Sequence, residues 1–233
     1  MLNRILSCLP AEEAEALLSR CEVVSLARRQ ELIEPDKQIQ HVYFIETGIA
    51  AVLAVSRKVR IAIGLIGSEG ATGIPVFLGD TISPHSTVMI TDGRGYRVSA
   101  DDLRLQLELP SHLQKILLRY SLAFYNQAAH TALSNVLTQI EQRIARWVLM
   151  THDRVLADEV PLTHDVIAYM LGIRRAGATE ALDRLQARNV IAVERGFISV
   201  RNRKELERIA GASYGLPERE YDRLVGVSLP GGI

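Results

Sequence analysis

The sequence predicts an α+β chain in three consecutive parts: an antiparallel β-roll over residues 1–109, a long helix over 110–138, and a helical unit with a β-hairpin over 139–233. Three observations predict this. Short β-rich runs recur at regular spacing in the first part. No proline or glycine interrupts residues 111–137. In the third part a glycine separates two apolar stripes of helical period, and a hairpin pattern follows directly.

The roll begins after N-terminal helices. His41–Ile45, Ile49–Val55 and Val59–Ile66 read as successive strands, separated by Glu46-Thr47-Gly48 and by Ser56-Arg57-Lys58. In the third run Val59, Ile61, Ile63 and Leu65 are expected inward, and Arg60, Ala62 and Gly64 outward. Further strands are expected at Ser86–Thr91 and Tyr96–Ser99, and this regular spacing suggests a roll or barrel. Pro110-Ser111 then marks a helix start. Leu113, Ile116, Leu117, Tyr120, Phe124 and Gln127 fall close to one face of that helix and need a partner. A second copy of the helix is the simplest partner; the chain's own roll is the alternative.

In the third part Ile140–Met150 is strongly amphipathic, with Ile144, Trp147 and Val148 inward. Thr163–Leu185 reads as two short helices around one turn. Ile167, Ala168 and Leu171 stripe the first helix; Ala178, Leu182 and Leu185 stripe the second. Gly172 stands where the turn demands positive φ, and small Ala168 lets the helices cross closely. Val190–Val193 and Phe197–Val200 form a hairpin around Glu194-Arg195-Gly196, with Arg201, Arg203 and Lys204 just past it. Helix, helix-turn-helix and hairpin in this order make a winged helix. Such a unit holds its second helix outward, and the usual receptor for that helix is the DNA major groove. The tail, 211–233, carries an amphipathic piece at Pro217–Leu224 and is expected to dock on the winged unit.

The 233 residues have 48% hydrophobic content and a formal net charge of +0, which suits one or two globular domains. No apolar run approaches the roughly 18 residues that span a membrane, so no membrane partner is expected. The N-terminal MLNRILSCLPAEEAEALL reads as neither a signal nor a transit peptide. Cys8 and Cys21 are too few for a disulfide framework or a cysteine-ligated cluster, and they fit a cytoplasmic location. A DNA binder usually has a basic surface; here the basic residues crowd locally, at Arg143, Arg146, Arg174, Arg175, Arg184, Arg188 and Arg195. No HExxH, GxSxG, P-loop or paired-carboxylate pattern occurs, so no catalytic residue, metal or cofactor is assigned and no enzyme is expected.

Together VYFIETGIAAVL, GLIGSEGATGIPVFLGD, the helix from Pro110 and LTHDVIAYMLGIRRAGATEAL make the chain resemble the Crp/Fnr family of bacterial transcription regulators over nearly its whole length. The resemblance implies a sensory roll like a cyclic-nucleotide-binding domain, a dimerisation helix over 110–138 and operator binding beside a promoter, where RNA polymerase is a further partner. It also implies departures. Cyclic-nucleotide members bind the phosphate with a Gly-Glu-Leu segment and a later arginine; here the matching positions read Thr72-Gly73-Ile74 and Pro84-His85-Ser86. Neutral histidine cannot make the bidentate contact of a guanidinium, so weak or no cyclic AMP binding is expected. The effector, if one exists, is a different small molecule, with Gly73, Ile74, His85, Ser86 and Thr87 as its pocket. Haem would need axial ligands; His41, His85, His112 and His130 are available, but a lone histidine is far more often structural and no Cys-x-x-Cys-His occurs. Gly67, Gly70 and Gly73 could suggest a phosphate loop, yet no helix clearly follows them, and a turn-rich loop is the better reading.

On the second helix of the motif, Ala176, Glu180 and Asp183 are expected to point outward, with Thr179 to one side and Arg175 near the N-terminal end. By resemblance Arg175, Ala176 and Glu180 occupy the base-reading positions. Arg175 suits guanine O6 and N7. Glu180 would accept from a cytosine amino group or else pair with Arg184. Thr163, His164, Arg174 and Arg195 are candidates for phosphate contacts. A sensor or adaptor whose winged unit binds protein is the alternative, motivated by the outward acids Glu180 and Asp183.

Overall fold

The computed structural model describes residues 2–57, 59–155, 159–226 and 229; Lys58 of the expected turn and residues 227, 228 and 230–233 of the tail lie outside them. Two short helices, α1 (Arg4–Ser7) and α2 (Ala11–Leu18), precede β1 (Glu22–Leu26), β2 (Glu31–Ile33), β3 (His41–Thr47), β4 (Ala50–Ser56) and β5 (Val59–Ile66). A one-turn helix, α3 (Ile74–Phe77), follows Gly73, where no helix was expected. The roll closes with β6 (His85–Met89), β7 (Gly93–Ser99) and α4 (Ala100–Leu107). Its strands form two antiparallel sheets, in the orders β1-β7-β3 and β2-β6-β4-β5.

The alternation expected for β5 is reversed in part. Ala62 is buried because the middle of this strand is covered on both faces, whereas Val59, at the strand's first position, is 54% exposed. Gly64 shows the cause on one side: a Cβ there would stand 2.8 Å from Phe124 and Gln127 of the long helix, so the close approach requires glycine. On the other side Ile61 touches the turn of the helix-turn-helix at Gly172. A register shift between Val52 and Leu53 adds a local irregularity to the β4–β5 ladder.

The long helix, α5 (His112–Leu137), is capped by Ser111, whose Oγ accepts from Gln114 N at 3.1 Å. Its Leu113, Leu117, Tyr120, Phe124 and Gln127 are buried. Leu113, Leu117 and Tyr120 share one core with α1, α2 and β3, and Phe124 joins Ile45, Val52 and Ile66 in another. The stripe first assigned to a second subunit therefore packs on the chain's own roll, the alternative partner. Gln127 explains why this face is not wholly apolar: its amide accepts from Leu65 N and donates to Leu65 O, pairing with the backbone of β5.

The C-terminal unit consists of α6 (Ile140–His152), β8 (Glu159–Val160), α7 (His164–Leu171), α8 (Arg175–Ala187), β9 (Ile191–Glu194), β10 (Phe197–Val200) and α9 (Arg203–Ala210). The short strand β8 adds an edge to the hairpin, giving the order β8-β10-β9. Gly172 caps α7 at φ 62°, as expected of the turn. Ile144, Trp147, Ala178, Leu182 and Leu185 are all inward, within 2% of full burial. They share their core with Ala51, Leu53, Ala62 and Ile90 of the roll, so apolar packing continues across the boundary between the parts.

The tail helix α10 (Leu216–Val225) corrects the expected docking. Its main neighbour is α5, and Tyr221, Leu224, Val225 and Leu229 lie in the core with α1 and α2. Tyr221 OH also donates to Glu69 O at 2.7 Å.

Candidate nucleic-acid interface

The outer face of α8 is uncovered. Arg174, Arg175, Ala176, Glu180 and Asp183 are exposed, while Ala178, Ala181, Leu182 and Leu185 anchor the opposite face. This pattern follows from the helical period: four apolar anchors at i, i+3, i+4 and i+7 leave the opposite face to solvent. Arg175, 70% exposed, pairs with Asp165 of α7 at 3.2 Å. The pair spans the turn between the two helices and orients the guanidinium at the N-terminal end of α8.

The remaining sequence-assigned residues divide into two groups. Arg174 and Arg195 are exposed and make no ion pair or side-chain hydrogen bond among the described residues. Arg195 sits with Gly196 at the wing tip, a two-residue turn in which Glu194 belongs to the ladder opposite Phe197. The others are already engaged. Thr163 caps α7, accepting from Val166 N at 3.3 Å. His164 Nδ1 and Thr179 Oγ1 are 2.8 Å apart and tie α7 to α8. Arg184 reaches Glu180 at 2.8 Å and Glu141 at 3.3 Å, so it clamps the helix to α6 and neutralises Glu180.

Part of the local basic density is internal. Arg146 is fully buried and donates from Nε to Ser213 O at 2.8 Å. Burial lowers its guanidinium to about 10, against the pull of the Glu218 carboxylate. Arg188 is held by Glu141 and Glu205. Arg203, expected among basic residues past the wing, pairs with buried Asp153 at 2.7 Å.

Among the described residues, the roll meets the winged unit through polar contacts that sequence reading missed, and two stand out. Arg154, just past α6, pairs with Glu69 at 2.8 Å, and both side chains are nearly inaccessible, at 3% and 2%. Burial disfavours the Arg154 charge, yet Glu69, Asp153 and Glu218 outweigh it and hold the group above its ordinary value. The partners are 85 positions apart, so no local pattern could have shown the pair. The second contact runs from Ser86 Oγ, which donates to Glu31 at 2.6 Å, through Arg60, 3.4 Å from Glu31, to Tyr169 of α7.

Ser86 therefore faces away from the expected effector pocket, as the two-residue period of β6 dictates. Gly73, Ile74, His85 and Thr87 do line one cavity of about 260 Å³. Its other walls are mostly apolar, with Ile33, Val52, Ile63 and Ile66 from the roll and Phe124 and Tyr125 from α5; the hydroxyls of Ser83 and Ser121 also line it and are engaged with backbone groups. The last two were not anticipated, because they come from a different part of the chain. His85 Nδ1 is buried without a hydrogen-bond partner among the described residues. Among the described residues, no arginine or lysine lines the cavity. No group of three or more His, Cys, Asp or Glu side chains converges among the described residues, and no helix described is long and apolar enough to cross a membrane.

Residues 142–209 match the family model of the Crp-like helix-turn-helix domain. No curated protein sequence matches the chain. Among solved structures, FixK2 from Bradyrhizobium japonicum is 17% identical, with 82% of this chain and 98% of that one covered at a TM-score of 0.68. TTHB099, a CRP-family transcriptional regulator from Thermus thermophilus, is 15% identical over 90% and 100% of the two chains, also at 0.68. TTHA1359, a CRP/FNR-family regulator from the same organism, is 19% identical over 83% and 100%, again at 0.68. At such identities the likeness is one of fold. The winged unit is a Crp-like helix-turn-helix domain, carried by a chain with the fold of the Crp/Fnr transcription regulators.

Proposed function

We propose that the chain is a homodimeric, sequence-specific DNA-binding regulator, controlled by a small apolar effector or by none. The uncovered outer face of α8 carries this reading. Arg175 is the base reader, suited to guanine; Ala176 leaves room for a thymine methyl or a neighbouring side chain. Arg174 and Arg195 contact phosphate. Thr163, His164, Thr179 and Arg184 hold the reading helix in place through the contacts described above. Glu180 is neutralised by Arg184, which weakens the case for a protein partner on this face.

Dimerisation is supported by a second stripe on α5. Leu118, Leu122, Tyr125, Ala129, Ala132 and Val136 are exposed and recur at alternating spacings of four and three. Tyr125 is 67% and Val136 82% exposed. That is the seam of a two-stranded coiled coil, and an unpartnered apolar patch of this size marks an interaction surface. A twofold pair also places two reading helices about one DNA turn apart.

The cavity offers no guanidinium for a cyclic phosphate, so its ligand is compact and largely apolar, with one group to meet His85. Tyr125 belongs to both the cavity wall and the exposed stripe. An occupant would thus touch the dimer seam directly. Sequencing the DNA retained by the purified chain tests the reading: a recurrent twofold motif supports it, and unselected DNA rejects it.

A further inference from the structure

The chain passes from α5 to the winged unit through Thr138 and Gln139, both extended. Two such residues keep their soft backbone dihedrals, so this link alone would let the winged unit swing. The tail helix α10 crosses the same boundary in the opposite direction. By sequence it follows the winged unit, yet its Tyr221, Leu224 and Val225 share a core with Ile5, Leu6 and Leu17 beside the roll.

Both ends of α10 are anchored. On the winged side Tyr214 OH donates to Asp153 Oδ2 at 2.8 Å, and Arg146 Nε of α6 donates to Ser213 O at 2.8 Å. Gly215 then turns the chain into α10 at φ 99°, a conformation that strains a residue bearing a side chain. Glu218, 7% exposed, accepts from Gly215 N at 2.8 Å, and its carboxylate offsets the buried charge of Arg146. Arg146 Nη1 has no hydrogen-bond partner among the described residues, so the guanidinium leans on that carboxylate. On the roll side Tyr221 OH donates to Glu69 O at 2.7 Å, and the Glu69 side chain is the one that pairs with Arg154. Neither surface that the DNA-binding reading needs is covered by α10. The outer stripe of α5 and the outer face of α8 stay exposed. What α10 fixes is the angle between the winged unit and α5.

We propose that α10 is an intramolecular strap that sets the orientation of the winged unit, and through it the separation of half-sites that a dimer accepts. The proposal rests on the dimeric DNA-binding reading above and extends it to the tail, to which that reading gives no role. A reading helix held at one angle meets its groove without a further ordering cost, whereas a loose one pays that cost and tolerates other separations.

The test measures the full chain on duplexes whose two half-sites stand at the selected separation or are moved apart by two base pairs. That change turns one half-site by about 70° around the duplex axis and should cost the wild type about 30-fold in affinity. L224E, which puts a charge into the seat of α10, should lose about threefold on the same change and bind the selected duplex about tenfold more weakly. Its base preference within each half-site should be unchanged, because α8 keeps its own anchors. Y221F, which keeps the apolar seat and lacks the bond to Glu69 O, should fall between the two. L26A weakens a different core of the roll and should keep the full wild-type penalty. Circular dichroism establishes whether L224E folds; where it does, L224E decides, and where it does not, Y221F decides. A wild-type spacing penalty in the deciding variant overturns this proposal alone. So does a wild type indifferent to separation, or an L26A relaxed as far as the deciding variant. A wild type that binds no paired half-sites overturns it together with the reading beneath it.

Discussion

The two long faces of α5 carry nearly the same periodicity and meet opposite environments. Leu113, Leu117, Tyr120, Phe124 and Gln127 are all within 8% of full burial; Leu118, Leu122, Tyr125 and Val136 are 45–82% exposed. Periodicity alone could not say which face belonged to a second subunit. Polarity could have helped. The inner face includes Gln127, Thr131 and Ser134, whose side chains bond to backbone or to a neighbouring hydroxyl. The outer stripe asks for no hydrogen bond along its apolar members. A polar group within a stripe implies a neighbour with fixed donors and acceptors, whereas a purely apolar seam suits a copy of itself.

Substituting the outer face should break function before it breaks folding. L122E, with charge placed on the seam, is expected to yield a folded monomer whose affinity for a two-half-site duplex falls by about 100-fold or more. Sedimentation and binding isotherms check this; a dimer of undiminished affinity would remove the seam from the account. The inner face should show the converse. E69Q leaves the Arg154 guanidinium buried without its charge partner beneath α5, at a cost of about 3–5 kcal/mol in denaturant unfolding, with oligomeric state preserved. If unfolding is unaltered, the buried pair does not hold the two parts together.

Smaller effects follow at the sites that depend on these faces. R175A should cost about 1–3 kcal/mol of binding and relax preference at one base pair of each half-site, read by competition with substituted duplexes. His130, on α5, supplies the smallest effect. Burial and then Arg146 hold its pKa below the ordinary 6.5, so the folded state binds its proton less readily than the unfolded chain. Its contribution is complete above that ordinary value and lost as pH falls through the lower folded value. Thermal stability should decline over that window, and H130Q should flatten the decline; an identical pH profile in both proteins would contradict the assignment.

Legibility tracked locality. The winged unit was readable because its signals are contiguous: the Gly172 turn, the stripes on either side and the wing occupy fewer than forty residues between Thr163 and Val200. The exposure of Arg175, Ala176 and Glu180 followed from the same wheel. In the roll, β3–β5 were visible, but the three-residue β2 is too short to carry a period and β5 misled because both its faces are covered. The pocket was half legible. His85 and Thr87 point inward and Ser86 outward by strand alternation, while Phe124 and Tyr125 arrive from α5. Glu69–Arg154, the docking of α10 on α5 and the partners of Arg184 depend on tertiary approach, which no local pattern reports.

The central claim is that paired copies of this chain lay α8 into successive turns of duplex DNA. A hydroxyl-radical footprint on a selected duplex tests it most directly. Two protected patches whose centres lie about one helical turn apart, roughly 10 bp, are expected of the wild type and should vanish in L122E. Protection of a single patch, unchanged by L122E, or none at any salt, would contradict it.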